Sequence, residues 1–274
     1  MNLYNYKLFY LLEKQISPYN IDDMNTYLVG MQKSLHDKLF FINKISPDTI
    51  VDFGCADGAL LKELIRIKPN LSLIGYDIDD EMLEEARKNI GNSKIILTDD
   101  WQKIERLINN YNKPSILLSS VIHEVYSYTN THNINYFWNQ QVFNDKFKYV
   151  IIRDMMPSAS YEKFNIVDIK KIRQNSNQQN LKEFEEKWGS INENFRTLLH
   201  WILKYRYTEN WKRELKEDYV PITLETLERK IPKGWSVIYK EHYTLPFIKE
   251  IVKKDFGVEL HENTHIKMII ERKS

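Results

Sequence analysis

The run Val51-Asp52-Phe53-Gly54-Cys55-Ala56-Asp57-Gly58 is followed, nineteen positions after Gly58, by Asp77. The run reads as a buried strand entering a loop of small residues, where backbone can approach a ligand closely. Asp77 ends the next apolar run and places a carboxylate where it can hydrogen-bond a ribose edge above that loop. The spacing therefore points to a ligand with an adenosine-like sugar. Farther along, Asp99-Asp100-Trp101 follows a third apolar run, and Ser119-Ser120-Val121-Ile122-His123-Glu124-Val125 closes a fourth. In the last of these an imidazole stands beside a carboxylate, and an imidazole can exchange a proton near neutral pH.

Short apolar runs must position these groups. Thr49–Phe53, Leu71–Tyr76, Lys94–Thr98, Ser115–Ser119 and Tyr149–Arg153 have strand length and the near-continuous apolar character of a sheet covered on both faces. Amphipathic helices are predicted between them over Gly58–Lys68, Asp80–Ile90 and Trp101–Tyr111, the first with Asp57 as its cap and Pro69 as its stop. Strict alternation predicts a doubly wound, mostly parallel α/β sheet. A helical segment, best defined over Tyr27–Ile45, precedes it. After Arg153 the rhythm changes. Met155–Ser160 reads as loop, Gln174–Asn180 as a flexible polar connection, and Leu181–Trp188 and Asn192–Glu217 as helical, before strand patterns return at Trp235–Glu241 and His265–Glu271.

A dinucleotide fingerprint requires G-x-G-x-x-G after the first strand, and Ala56 between Gly54 and Gly58 does not supply it. The run instead resembles the first motif of the class I S-adenosylmethionine-dependent methyltransferases, acid-x-Gly-x-Gly-x-Gly. Asp52, Gly54 and Gly58 match, and Ala56 replaces the central glycine. The resemblance covers Thr49 to Arg153 and the two late strands. It implies a Rossmann-like seven-stranded sheet of five parallel strands with the last strand inserted antiparallel. It also implies S-adenosyl-L-methionine as cofactor: Gly54, Cys55, Ala56 and Gly58 beside its methionine part, Asp52 near its ammonium group, and Asp77 on both ribose hydroxyls. Ile78 would lie against the adenine and Asp100 would face its amino group, with Asp99 the fallback and Trp101 a ring contact. Ser119 and Ser120 would border the methyl group.

Methyl transfer is an in-line displacement in which an amine or hydroxyl acceptor is aligned and loses its proton. His123 and Glu124 are the candidate catalytic residues, with His123 a base or an acceptor-orienting group. The alternative is that His123 packs under the cofactor while Glu124 braces a loop. Arg153-Asp154, at the end of the fifth strand, faces the same cleft in this topology. No metal is expected: His261 and His265 fall where loop runs into strand, and His123 and His132 have no thiolate nearby. Cys55 reads as a small residue close to the backbone.

Lys and Arg number 39 against 38 Asp and Glu, which excludes a strong long-range pull toward nucleic acid or anionic membranes. One cysteine permits no intrachain disulfide and fits a reducing cytoplasm. The N-terminal run Leu8–Leu12 is too short for a signal peptide core or a membrane span. Residues 1–48 are expected to form a helical segment and possible lid, 49–154 with 235–274 the cofactor-binding domain, and 155–234 a helical insertion that roofs the cleft and selects the acceptor. In that insertion Trp201, Tyr205, Tyr207 and Trp211 interleave with Lys204, Arg206, Lys212 and Arg213, a pattern able to stack on bases and contact phosphates. Yet Leu198, Trp201, Ile202 and Tyr205 share one helical face, which fits core packing better. The function expected is methyl transfer to an N or O nucleophile of a small polar metabolite. The alternatives are an RNA or nucleotide methyltransferase, or a catalytically inactive methyltransferase-like binding subunit. The turn after the fourth strand lacks an Asn-Pro-Pro-Tyr-like sequence, which disfavours adenine-N6 chemistry. Oligomeric state is not legible in the sequence.

Overall fold

The computed structural model describes residues 35–91, 94–159 and 166–273. Its strands are β1 (Thr49–Phe53), β2 (Ser72–Tyr76), β3 (Ile96–Thr98), β4 (Pro114–Ser119), β5 (Tyr149–Met155), β6 (Trp235–Tyr243) and β7 (His265–Arg272). They form one sheet in the order β3-β2-β1-β4-β5-β7-β6. The first five run parallel, and β7 enters antiparallel between β5 and β6. The chain reverses direction across the sheet between β1 and β4, so the loops after these strands face one crevice, where α/β sheets bind ligands.

The described helices are α1 (Leu35–Lys38), α2 (Ala59–Ile67), α3 (Asp80–Ile90), α4 (Trp101–Ile108), α5 (Ile122–Tyr128), α6 (Thr131–Tyr136), α7 (Ile166–Asn175), α8 (Gln178–Trp188), α9 (Phe195–Lys204), α10 (Trp211–Glu214), α11 (Leu224–Lys230) and α12 (Pro246–Phe256). Alternate residues of each central strand feed two cores, as a period of two requires. Ile50, Leu73, Leu117 and Ile151 join Leu60, Leu61 and Leu64 of α2 and Leu83 of α3 on one face. Val51, Ile74, Ile116 and Ile152 join Trp101, Ile104 and Ile108 of α4, and Leu224 and Leu227 of α11, on the other. The doubly wound layering is thus the direct outcome of strands apolar on both sides.

The insertion between β5 and β6 carries its own core, where Ile172, Leu181, Phe184, Leu198, Leu199 and Trp201 meet Val252 and Phe256 of α12. Helix α12, between the last two strands, therefore belongs to the same cluster. The polar stretch Gln174–Asn180 is not a flexible connection. It is a tight turn between α7 and α8, fixed because the Ser176 hydroxyl donates to Ile172 O and Asn177 caps α8 by accepting from the Asn180 amide. Helix α4 stops at Ile108, before the expected Tyr111, because the Asn110 and Tyr111 amides bond three residues back to Leu107 and Ile108. Of the predicted helix Tyr27–Ile45, residues 27–34 lie outside the described residues. Its described end is α1 followed by turns.

Candidate functional site

The loop leaving β1 extends the sheet ladder by two bonds, since the amides of Gly54 and Cys55 both donate to Tyr76 O, at 2.8 and 3.0 Å. It then turns sharply, with the Gly58 amide on Cys55 O at 2.9 Å and positive φ at Gly54 (75°), Ala56 (45°) and Gly58 (72°). A Cβ on Gly54 would meet Val121 Cγ2 at 2.6 Å, and one on Gly58 would meet Ile90 Cδ1 at 2.7 Å. Both glycines are therefore demanded by the protein packed beneath the loop. Ala56 adopts a left-handed conformation that costs an L residue about 1–2 kcal/mol. Its amide is held in compensation by Asp77 Oδ2 at 2.8 Å.

Asp77 is 2% exposed, and its other oxygen accepts the Asp79 amide at 3.0 Å. Burial pushes its carboxyl up to about 6 against the pull of those two amides. Asp52 is equally buried and is pushed up to about 7 by burial, with Lys38 opposing and Asp77 and Asp57 reinforcing. Asp57 bonds the Ala59 amide at 3.2 Å, although the cap position of α2 is Gly58, and Asn89 holds Asp57 O at 3.0 Å. Asp79 is the cap of α3. Ile78 is half-buried against the sheet core, and Asp99 is exposed.

Asp100 caps α4 through the Gln102 amide at 2.9 Å and reaches Arg106 at 3.6 Å. Its other oxygen has only that long contact, and both Asp99 and Asp100 are exposed. The Trp101 ring packs among Phe53, Tyr76 and Phe147. The structure thus places it in the core, not as a ring on the cleft surface.

Ser119 ends β4 with a buried hydroxyl that has no hydrogen-bond partner among the described residues. Ser120 follows at φ 60°. Its amide donates to Arg153 O at 2.8 Å, and its hydroxyl accepts from Arg153 Nη1 at 2.9 Å. One turn into α5, His123 is buried with Nδ1 2.9 Å from Asp154 Oδ1. Asp154 is fully buried and also accepts the amides of Ile122 and Met155, each at 2.7 Å. Burial opposes a charge on His123, but the Asp154 carboxylate, with Glu124 and Glu217 beyond, outweighs it and raises the imidazole to about 9. At neutral pH His123 is therefore an imidazolium ion-paired with Asp154.

Glu124, 20% exposed, lies 3.2 Å from Arg213 Nη2, which also holds Glu217 at 2.8 Å. Burial and Glu217 push the Glu124 carboxyl up, with Arg213 opposing. Donor atoms of His123, Glu124 and Glu217 lie within 4.8 Å of one another, a spacing that a metal ion would tolerate. The Arg213 guanidinium already bridges the two carboxylates and supplies the positive charge there. The insertion also brings Tyr219 edge-on to His123, with ring centroids 5.4 Å apart, and Tyr207 against Tyr219 at 6.2 Å.

A solved S-adenosylmethionine-dependent methyltransferase from Anabaena variabilis ATCC 29413 shares this architecture, with a TM-score of 0.51 over 94% of this chain and 99% of that one at 15% identity. The chain has the class I methyltransferase fold. A plantazolicin methyltransferase crystallised with a substrate analogue aligns over 88% of this chain and 85% of its own, at 12% identity and a TM-score of 0.48. In sequence, 64 residues are 39% identical to the malonyl-[acyl-carrier protein] O-methyltransferase of Legionella pneumophila, and the match spans 22% of this chain and 22% of that protein. No family model matches the chain.

Within this methyltransferase fold the structure brings together residues that the sequence left apart. Asp154 was legible as a strand-end residue facing the cleft, though not as the partner of His123. Arg213 stood out only within the basic-aromatic stretch, and nothing marked it or Glu217 as a neighbour of Glu124. Trp201, Lys204 and Arg213 of the basic-aromatic stretch are buried, at 0%, 0% and 4% exposure, so core packing accounts for them. No helix among the described residues is long and apolar enough to cross a membrane.

Proposed function

We propose that this chain is an S-adenosylmethionine-dependent methyltransferase that moves a methyl group to an N or O nucleophile of a small polar metabolite. The observation that carries this is the Asp77–Ala56 bond at the crevice. It presents a buried carboxylate from the end of β2 beside a left-handed loop from β1. The residues present fit such a cofactor: the loop is closely approachable backbone, and Ser119 Oγ and Arg153 Nη2 are buried polar atoms without partners among the described residues. Asp52, Gly54, Cys55, Ala56 and Gly58 would hold the methionine part, Asp77 the ribose, Ile78, Asp99 and Asp100 the adenine side, and Ser119 and Ser120 the neighbourhood of the methyl group. When bound, the cofactor supplies a methyl group on a sulfonium that is its own leaving group.

The chain's own work is alignment and exclusion of water. His123, cationic and fixed through Nδ1 by Asp154, has its second ring nitrogen left to orient the acceptor. Glu124, with its raised carboxyl, is the group in reach that can hold a proton near neutral pH. Residues 155–234 roof the cleft and contribute Tyr207 and Tyr219 beside His123. A small acceptor is favoured because Lys204 and Arg213 are spent on buried contacts and cannot track a phosphate backbone.

Incubating the protein with methyl-labelled S-adenosylmethionine and separated metabolite, RNA and protein fractions tests this. Label is expected in the metabolite fraction. Label confined to RNA or protein would reassign the acceptor. Binding of S-adenosylhomocysteine without any turnover would favour an inactive binding subunit.

A further inference from the structure

The insertion touches α5 through a short stretch that begins with α10. Arg213 is buried, and its Nη2 donates to Glu217 Oε1 at 2.8 Å and to Glu124 Oε1 at 3.2 Å. Its Nη1 lies 3.6 Å from Glu214 Oε1. Two neutral bonds tie the same stretch to α5. The Tyr128 hydroxyl donates to Glu217 Oε1 at 3.0 Å, and the Asp218 amide donates to Ser127 Oγ at 2.7 Å. The guanidinium is therefore held against α5 by more than its own ion pairs.

Three carboxylates surround this one guanidinium, and they do not compete equally. Glu214 and Glu217 are 3% and 1% exposed, and each accepts a tyrosine hydroxyl, from Tyr219 and Tyr128 respectively. Lys204 donates to the backbone carbonyls of the same two residues. Glu124 is 20% exposed and shares Nη2 with the nearer Glu217. It also faces His123 on its own helix, whose charge is paired with Asp154, and Asp77 at the end of β2. Like charges crowded in a buried site resist ionising together. The carboxylate with the weaker hold on the cation and the better access to the cleft takes up the proton, and that is Glu124.

We infer that Arg213 is a positioning residue for the proposed reaction, acting through Glu124. It holds that carboxylate at the cleft and, by dividing one positive charge between Glu124 and Glu217, sets the pH at which Glu124 parts with a proton. This deepens the methyltransferase reading and rests on its assignment of Glu124 as the group that holds a proton. The insertion then takes part in the chemistry as well as roofing the cleft.

The test follows the Glu124 proton directly, by the side-chain carboxyl resonances of protein carrying isotope-labelled glutamate, with the signal assigned by its loss in Glu124→Gln. Wild type is compared with Glu217→Gln and with the double variant Glu217→Gln, Arg213→Met. The double variant removes one charge of each sign and is expected to fold, whereas Arg213→Met alone would strand two buried carboxylates. Glu217→Gln frees Nη2 for Glu124, whose titration midpoint is expected to fall by about one pH unit or more, and adding Arg213→Met is expected to raise it by at least as much. An arginine with a merely structural role would change the melting temperature and leave the midpoint in place. Equal midpoints in the two variants overturn the inference. The pH profile of methyl transfer from labelled S-adenosylmethionine into the metabolite fraction is expected to move with the midpoint. A profile that stays fixed while the midpoint moves would strike the assignment of Glu124 to the reaction, and the titration would still decide what Arg213 does to it.

Discussion

The Asp77 carboxylate accepts the amide of Ala56 at 2.8 Å, tying the end of β2 to the strained midpoint of the loop after β1. The side chain thus holds the loop's shape, and in the proposed function it also presents a charge above it. Replacing Asp77 with alanine leaves a buried amide unpaired, at a cost of about 1–3 kcal/mol. It should also weaken S-adenosylhomocysteine binding at least about tenfold. Calorimetry at pH 8 measures the second effect, and unchanged affinity would remove Asp77 from the site.

Gly58 and Gly257 have nearly the same left-handed backbone, φ 72° and ψ 11° against φ 66° and ψ 29°. Their surroundings differ. A Cβ at Gly58 meets Ile90 and Ala86, at 2.7 and 3.1 Å, and one at Gly257 meets nothing within 4 Å. Gly257→Ala should therefore cost only the backbone strain, about 1–2 kcal/mol. Gly58→Ala should add about 1–3 kcal/mol of overpacking. Urea midpoints of the two variants measure the difference, and equal losses would mean that the helix beneath the loop yields freely.

The five parallel strands were legible because burial on both faces makes them near-continuous apolar runs. Asp52 and Asp77 were legible because a strand end fixes where a side chain must go. Helix α7 was not. Ile166 and Val167 are 69% and 56% exposed and only Ile172 is fully buried, so its apolar pattern carries little information. The short helix α6 gave no signal either, and in α5, whose start the turn after β4 did mark, the Ser127 hydroxyl bonds back to His123 O four residues earlier. The link from Glu124 to Arg213 spans 89 positions, and nothing local marks either residue as the other's partner. Asp100 and Trp101 occupy the expected position in the chain, where Asp100 caps α4 and the Trp101 ring is buried with an Nε1 that has no partner among the described residues.

Asp52 makes the protein's stability depend on pH in a direction that can be worked out. Its folded carboxyl, at about 7, lies above the ordinary 3.8. The folded state therefore binds more protons than the unfolded state between these values, and stability falls as pH rises through that window. Asp52→Asn should remove this component. The variant should be more stable than wild type at pH 8, by an amount on the order of a few kcal/mol, and the gap should close as pH falls toward 4. Paired thermal melts across this range measure it, and a gap that widens on acidification would show that Asp52 is held as a stabilised anion.

His123 and Asp154 make a second, separable prediction. With the imidazole raised to about 9 from 6.5, the pair contributes stability fully below pH 6.5 and loses it as pH rises through 9. Asp154→Asn removes the charge that outweighs burial, so the His123 ring should titrate near or below neutrality, as followed by its ring-proton resonance. Catalysis reports the role. If the imidazolium orients the acceptor, wild-type turnover declines as pH passes 9, above any rise that Glu124 causes near neutrality, and Asp154→Asn moves that decline to lower pH. A general base would instead give a rate that rises toward pH 9 in the wild type and rises earlier in Asp154→Asn. The orienting role is the expected outcome, because a ring paired with a saturated, fully buried carboxylate carries its proton throughout the neutral range.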